Sequence, residues 1–193
     1  MARTESTMLK LGTEAPDFAL PDTVSGSVLG PADLRGEHGL IIAFICNHCP
    51  YVIHIREAFA SAARDFQGRG IGVAAISSND AAGYPADGPD RMAAEARTAG
   101  YTFPYLYDET QAVARAYQAA CTPDLYLYDT DLKLVYRGQF DASRPGNGVP
   151  VTGADLRLAV DALLANQPPV ADQTPSVGCS IKWRAGNQPP YFG

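Results

Sequence analysis

The 193-residue sequence predicts an α/β domain with a mixed central sheet flanked by helices, and three observations carry that expectation. Continuous apolar runs at residues 40–45, 71–76 and 124–128 have the length of strands covered on both faces. Helical periodicity lies between the first two, where Val52, Ile55, Phe59, Ala63 and Phe66 recur at spacings of three and four. Residues 132–137 follow the third run after the short turn Asp129-Thr130-Asp131, which pairs the two as a hairpin.

Taken along the chain, a strand-rich lead-in is expected at residues 17–20 and 28–34, ahead of the first buried strand. The first helix is closed by Gly68-Arg69-Gly70, as glycine past a helix C-terminus commonly does. Further helices fit residues 89–98, 110–119 and 153–165, the last amphipathic through Leu156, Leu158 or Ala159, Leu163 and Leu164. The order strand, helix, strand, helix, helix, hairpin, helix is an α/β layout. A domain over residues 1–165 is followed by a tail over 166–193, where five of the 15 prolines fall and regular helix is disfavoured. Ile181, Trp183, Tyr191 and Phe192 give that tail apolar groups, so it is expected to wrap the domain and dock through them.

Composition narrows the function classes. The chain is 46% hydrophobic and 19% charged, with net charge −6, a balance that disfavours nucleic acid and anionic membrane as partners. The longest apolar run, residues 39–46, is too short to span a bilayer, and residues 1–17 form no signal-peptide core. A cytoplasmic location and thiols resting largely reduced are therefore expected. A chain of this size needs no disulfide staples, so its four cysteines are available for chemistry.

Cys46-Asn47-His48-Cys49 joins the end of a buried strand to the start of a helix, a specific pattern for redox work. Asn47 is a good N-cap, and Pro50 suits the first turn, where a missing N–H costs nothing. The helix N-terminus is expected to lower the Cys46 thiol pKa, with His48 adding to the effect when protonated. The second sulfur, at Cys49, can then close a small intramolecular disulfide. CxxC is also half of a zinc site, which His48, His54, Cys121 or Cys179 would complete. No second CxxC is present, and redox use is preferred with no metal assigned; His54 alone reads as a packing residue. Cys121-Thr122-Pro123 stands just ahead of a strand, where proline marks a strand start or a bend.

The segments Gly12-Thr13-Glu14-Ala15-Pro16-Asp17-Phe18-Ala19-Leu20 and Leu34-Arg35-Gly36, the CxxC and Thr122-Pro123 together resemble the thioredoxin-like redoxins. The lead-in is similar to the peroxiredoxin (AhpC/TSA-type) and thiol-reductase branch. Cys46 to Val52, Arg144-Pro145-Gly146-Asn147 and Gly178 to Trp183 resemble a peroxiredoxin-like group within it. The resemblance covers essentially the whole chain. It implies a thioredoxin-like fold, a cis Pro123 facing the dithiol and helping to hold substrate, and Thr122 beside it. The peroxidatic Pro-x-x-x-Thr-x-x-Cys pattern is missing: Ile42 and Cys46 precede Cys49 at those offsets, and Gly39 and Ala43 precede Cys46.

The function expected is that of a thiol–disulfide oxidoreductase with Cys46 and Cys49 catalytic and His48, Thr122 and Pro123 supporting. Substrates would be a disulfide-bearing protein or a small thiol or peroxide, with no organic cofactor. The alternatives are a thiol-dependent, antioxidant peroxidase and a Cys/His metal-binding protein. Cys121 and Cys179 are candidate redox partners. Thirteen residues separate Asn166 from Cys179, about 43–47 Å of extended chain, enough to reach any point on a domain this size. Docking near Cys46 or Cys121 competes with a role as a simple anchor. Residues 79–80, 83–88 and 141–145 lie where strand ends host ligands, and Arg144 is expected to pair with Asp141.

Overall fold

The computed structural model describes residues 3–191. At its centre β4 (Gly39–Phe44) runs parallel to β5 (Ile71–Ser77), and β5 runs parallel to β6 (Tyr105–Tyr107). On its other side β4 pairs antiparallel with β8 (Asp124–Tyr128), which pairs antiparallel with β9 (Leu134–Gly138). The resulting order, β6-β5-β4-β8-β9, is the expected mixed sheet flanked by helices.

Strand alternation divides the core into two layers. Ile41, Ala43, Val73, Ala75, Leu125 and Leu127 face α2 (Pro50–Gly68), α3 (Pro89–Ala99) and α5 (Ala154–Leu164). Leu40, Ile42, Phe44, Ala74, Ile76, Tyr126 and Tyr128 face the opposite way. There they meet α1 (Pro31–Leu34), α4 (Ala112–Ala116), Tyr117 and Ile181. Both faces of β4 are therefore dry, which is why its sequence is a continuous apolar run.

The helix expected over residues 110–119 shrinks to α4, because Gln111 and Gln118 take positive φ at its two ends. In the lead-in, β2 (Leu20–Pro21) and β3 (Val28–Leu29) pair as a short ribbon, but residues 31–34 are helical rather than extended. Pro31 supplies a helical φ at N1, and Asp33 accepts the Gly30 N–H.

The tail adds a strand that periodicity did not announce. β10 (Val177–Ser180) inserts antiparallel between β1 (Arg3–Glu5) and β7 (Cys121–Thr122), making a second, three-stranded sheet. Ile181 is buried, Trp183 packs against the α4 layer, and the Tyr191 hydroxyl donates to the Ala114 carbonyl. Phe192 lies outside the described residues.

Candidate dithiol site

Cys46 lies two residues beyond β4, and Cys49 is the N-cap of α2, with Pro50 at its first position. The cap is thus Cys49, not Asn47. The Asn47 side chain is committed elsewhere: its amide donates to the Ala86 carbonyl at 2.7 Å, and it accepts from the Tyr105 hydroxyl at 3.1 Å. Its backbone N–H donates to Asp87 Oδ1 at 2.8 Å. With Asn47 tied to the Pro85–Asp87 turn, the helix starts later than its best capping residue would suggest.

Thr122 stands against both sulfurs. Its hydroxyl is 3.4 Å from Cys46 Sγ, and its carbonyl accepts from the Cys49 thiol at 3.1 Å. The Thr122–Pro123 bond is cis, as the resemblance implied. Cys46 and Cys49 are 1% and 0% exposed, so both thiols work in a dry environment. The Cys49 pKa is lowered to about 5, first by the hydrogen bond from Cys46 and then, against burial, by the Cys179 backbone and the Thr122 side chain. Cys46 is pushed well up because it is the donor to Cys49, because it is buried, and because Asp87 is near. The anion therefore settles on Cys49, contrary to the expectation of an acidified Cys46. Donors converge on Cys49, while a carboxylate opposes charge on Cys46.

Asp87 is the residue that sequence reading passed over within the 83–88 loop. Fully buried, its carboxylate accepts the Asn47 N–H and, at 2.8 Å, the Asn79 amide. His48 Nδ1 sits 2.6 Å from Asp87 Oδ2, out of line for a hydrogen bond, and the His48 ring stacks on Tyr84. Cys46 Sγ, a His48 ring nitrogen and an Asp87 oxygen all lie within 4.8 Å of one another. His48 thus sits between Asp87 and the Cys46 sulfur. A carboxylate deep in an apolar core is legible in sequence only as an Asp in a turn, and nothing local marked this one.

The other candidates separate. The Cys121 thiol donates to the Pro123 carbonyl at 3.4 Å, and burial pushes its pKa well up. His54 is bonded to the Ser143 hydroxyl and lies outside the Cys46–His48–Asp87 cluster, as does Cys121. Arg144 donates to the Asp141 carbonyl and not to its carboxylate, which instead accepts the Thr152 and Gly153 N–H groups. Cys179 lies opposite Thr122, which contacts both Cys46 and Cys49, and beside the Ser180–Cys121 pair; its backbone and thiol help to lower the Cys49 pKa.

Comparison with known proteins places this geometry in a family. Residues 11–137 match the AhpC/TSA family. A conserved protein of Geobacillus kaustophilus of solved structure is 52% identical, with TM-score 0.94, over 95% of this chain and 97% of that one. A Mycobacterium tuberculosis protein named "Putative peroxiredoxin" is 29% identical over 64% of this chain and 73% of its own length. The thioredoxin domain of a thiol-disulfide oxidoreductase from Bacteroides vulgatus is 16% identical. It shares the fold at TM-score 0.56, over 67% of this chain and 89% of that one. No helix among the described residues is long and apolar enough to cross a membrane. With a cis-proline loop set against a dithiol at the strand-to-helix junction of a mixed sheet, this chain has a thioredoxin-like fold and belongs to the AhpC/TSA family.

Proposed function

We propose that this chain is a thiol–disulfide oxidoreductase that cycles Cys46 and Cys49 between dithiol and disulfide. The observation that carries the reading is a pair of buried sulfurs at the strand-to-helix junction that both contact Thr122 ahead of a cis proline. Cys46, as thiolate, attacks one sulfur of a substrate disulfide, forming a mixed disulfide and expelling the other substrate sulfur as thiolate. Cys49 then attacks the Cys46 sulfur, closing the Cys46–Cys49 disulfide and releasing the second substrate thiolate. Acidity prepares Cys49 for the second step. His48 and Asp87, beside Cys46 Sγ, are the groups within reach to move its proton. Thr122 and Pro123 shape the wall at which substrate meets the sulfurs.

Disulfide reduction and peroxide consumption, measured for wild type, Cys46→Ser and Cys49→Ser, test this. Loss of disulfide reduction in both variants is expected, and full activity of Cys46→Ser in both assays sinks the mechanism. Peroxide consumption that depends on Cys46 and exceeds disulfide reduction would favour the peroxidase reading.

The Cys46, His48 and Asp87 cluster favours a second reading, a site for a thiophilic divalent cation such as zinc. Stoichiometric metal in anaerobically purified protein, lost in Cys46→Ser, would support it over redox turnover.

A further inference from the structure

Cys179 is buried in the same apolar cluster as Cys46 and Cys49, on a strand tightly fitted to the site. β10 lies flush on β7, with Cys179 opposite Thr122 and Ser180 opposite Cys121. The fit needs glycine at 178, because a Cβ there would come 1.9 Å from the Thr122 carbonyl oxygen. Beyond the strand, the Ile181 N–H donates to the Ala120 carbonyl and the Lys182 N–H to Asn79 Oδ1. Gln111 holds the Lys182 carbonyl and the Arg184 N–H. The backbone edge that an extended peptide would use to pair beside the dithiol is thus filled by the chain's own tail. The residue presented there is a cysteine.

We propose that Cys179 is a third redox sulfur of this site, exchanging with the Cys46–Cys49 disulfide through Cys49, since it stands opposite Thr122, whose carbonyl accepts the Cys49 thiol. The inference rests on the dithiol reading and deepens it. In the step, the Cys179 thiolate attacks Cys49 Sγ of the Cys46–Cys49 disulfide. The Cys49–Cys179 bond forms, the Cys46–Cys49 bond breaks, and Cys46 leaves as the thiolate. The proton lost from Cys179 is the one Cys46 regains. No electrons enter or leave, so no further oxidant is needed. The exchange returns Cys46 to its reduced form while the oxidising equivalents stay with the tail.

The test oxidises the full chain with a small symmetrical disulfide, quenches it in acid, alkylates it and maps the peptides. Trypsin leaves Cys46 and Cys49 on one peptide and Cys179 on another, so a Cys49–Cys179 bond appears as a linked pair. That pair is expected in wild type alongside the Cys46–Cys49 disulfide, enriched in Cys46→Ser and lost in Cys179→Ser. A wild type that forms only Cys46–Cys49, with no linked pair in Cys46→Ser, overturns the third sulfur and leaves the dithiol reading standing. Linkage of Cys179 to Cys121 instead of Cys49 also overturns it. A wild type that forms no Cys46–Cys49 disulfide defeats the dithiol reading itself. Fragmentation of the linked wild-type peptides assigns the bond to Cys49 or Cys46. A wild type whose only linked pair runs through Cys46 also overturns the proposal, so the outcome does not depend on how the variants fold.

Discussion

His48 Nδ1 lies 2.6 Å from Asp87 Oδ2, and this contact joins the dithiol turn to a buried carboxylate 39 residues away in sequence. The pair has its own consequence for Cys46. Asp87 is a like charge to the Cys46 thiolate and holds its proton on.

Asp87→Asn keeps the acceptor shape and removes the charge. In a Cys49→Ser background, which isolates Cys46, this change should lower the pH midpoint of Cys46 alkylation by about one unit, the low end for a charged neighbour at this range. An unchanged or higher midpoint would remove Asp87 from the account of Cys46.

The Cys49 thiol, ordinarily at 9.0, is lowered to about 5 in the fold. Between those values the unfolded chain holds a proton that the folded chain has released, so stability from this group grows as pH rises from about 5 toward 9. It is fully present above 9 and lost as pH falls through 5; Cys46, held above its ordinary value, acts in the other sense only at higher pH. The difference in urea midpoint between wild type and Cys49→Ala should therefore widen from pH 5 to pH 8. A flat difference would place the early proton loss elsewhere.

Gly178→Ala forces a methyl group onto the Thr122 carbonyl. Backbone cannot give way as a flexible side chain does, so β10 should lift from β7 at a cost of about 1–3 kcal/mol. Faster alkylation of Cys49 should accompany the lower urea midpoint. Unaltered protection of Cys49 would mean that β10 does not shield it.

Arg137 and Asp124 form an ion pair of 3.0 Å with both side chains fully buried. Asp124 also accepts from the Ser6 hydroxyl and the Ala120 N–H, so it anchors the start of β8, the N-terminus and the approach to β7. Arg137→Met should cost about 3–5 kcal/mol, because it strands a buried carboxylate. Replacing both residues with apolar partners should recover part of that loss; a single variant of wild-type stability would show that water reaches Asp124.

Much of the fold could be read locally. The runs expected at residues 40–45, 71–76 and 124–128 fall on Gly39–Phe44, Ile71–Ser77 and Asp124–Tyr128 because apolar runs answer to burial on both faces, and α2 follows from spacing alone. The short strands escaped: Cys121–Thr122 and Val177–Ser180 have too few residues to show a period, and they exist through pairing with each other. Asn47 illustrates the opposite failure, a residue with strong capping preference whose partners lie on the 85–87 turn and on Tyr105.

The candidate site divides the same way. Sequence by itself determined the Cys46–Cys49 pair, its seat between a buried strand and a helix, and a turn at Thr122-Pro123, because each is a matter of neighbouring residues; the cis bond came only with the family resemblance. Only tertiary structure decided that Asp87 opposes charge on Cys46, that Cys49 is the more acidic sulfur, and that Cys179 stands opposite Thr122. Those outcomes depend on which dipoles, charges and thiols converge in a water-free space. Such convergence is set by packing between distant segments and leaves no local pattern.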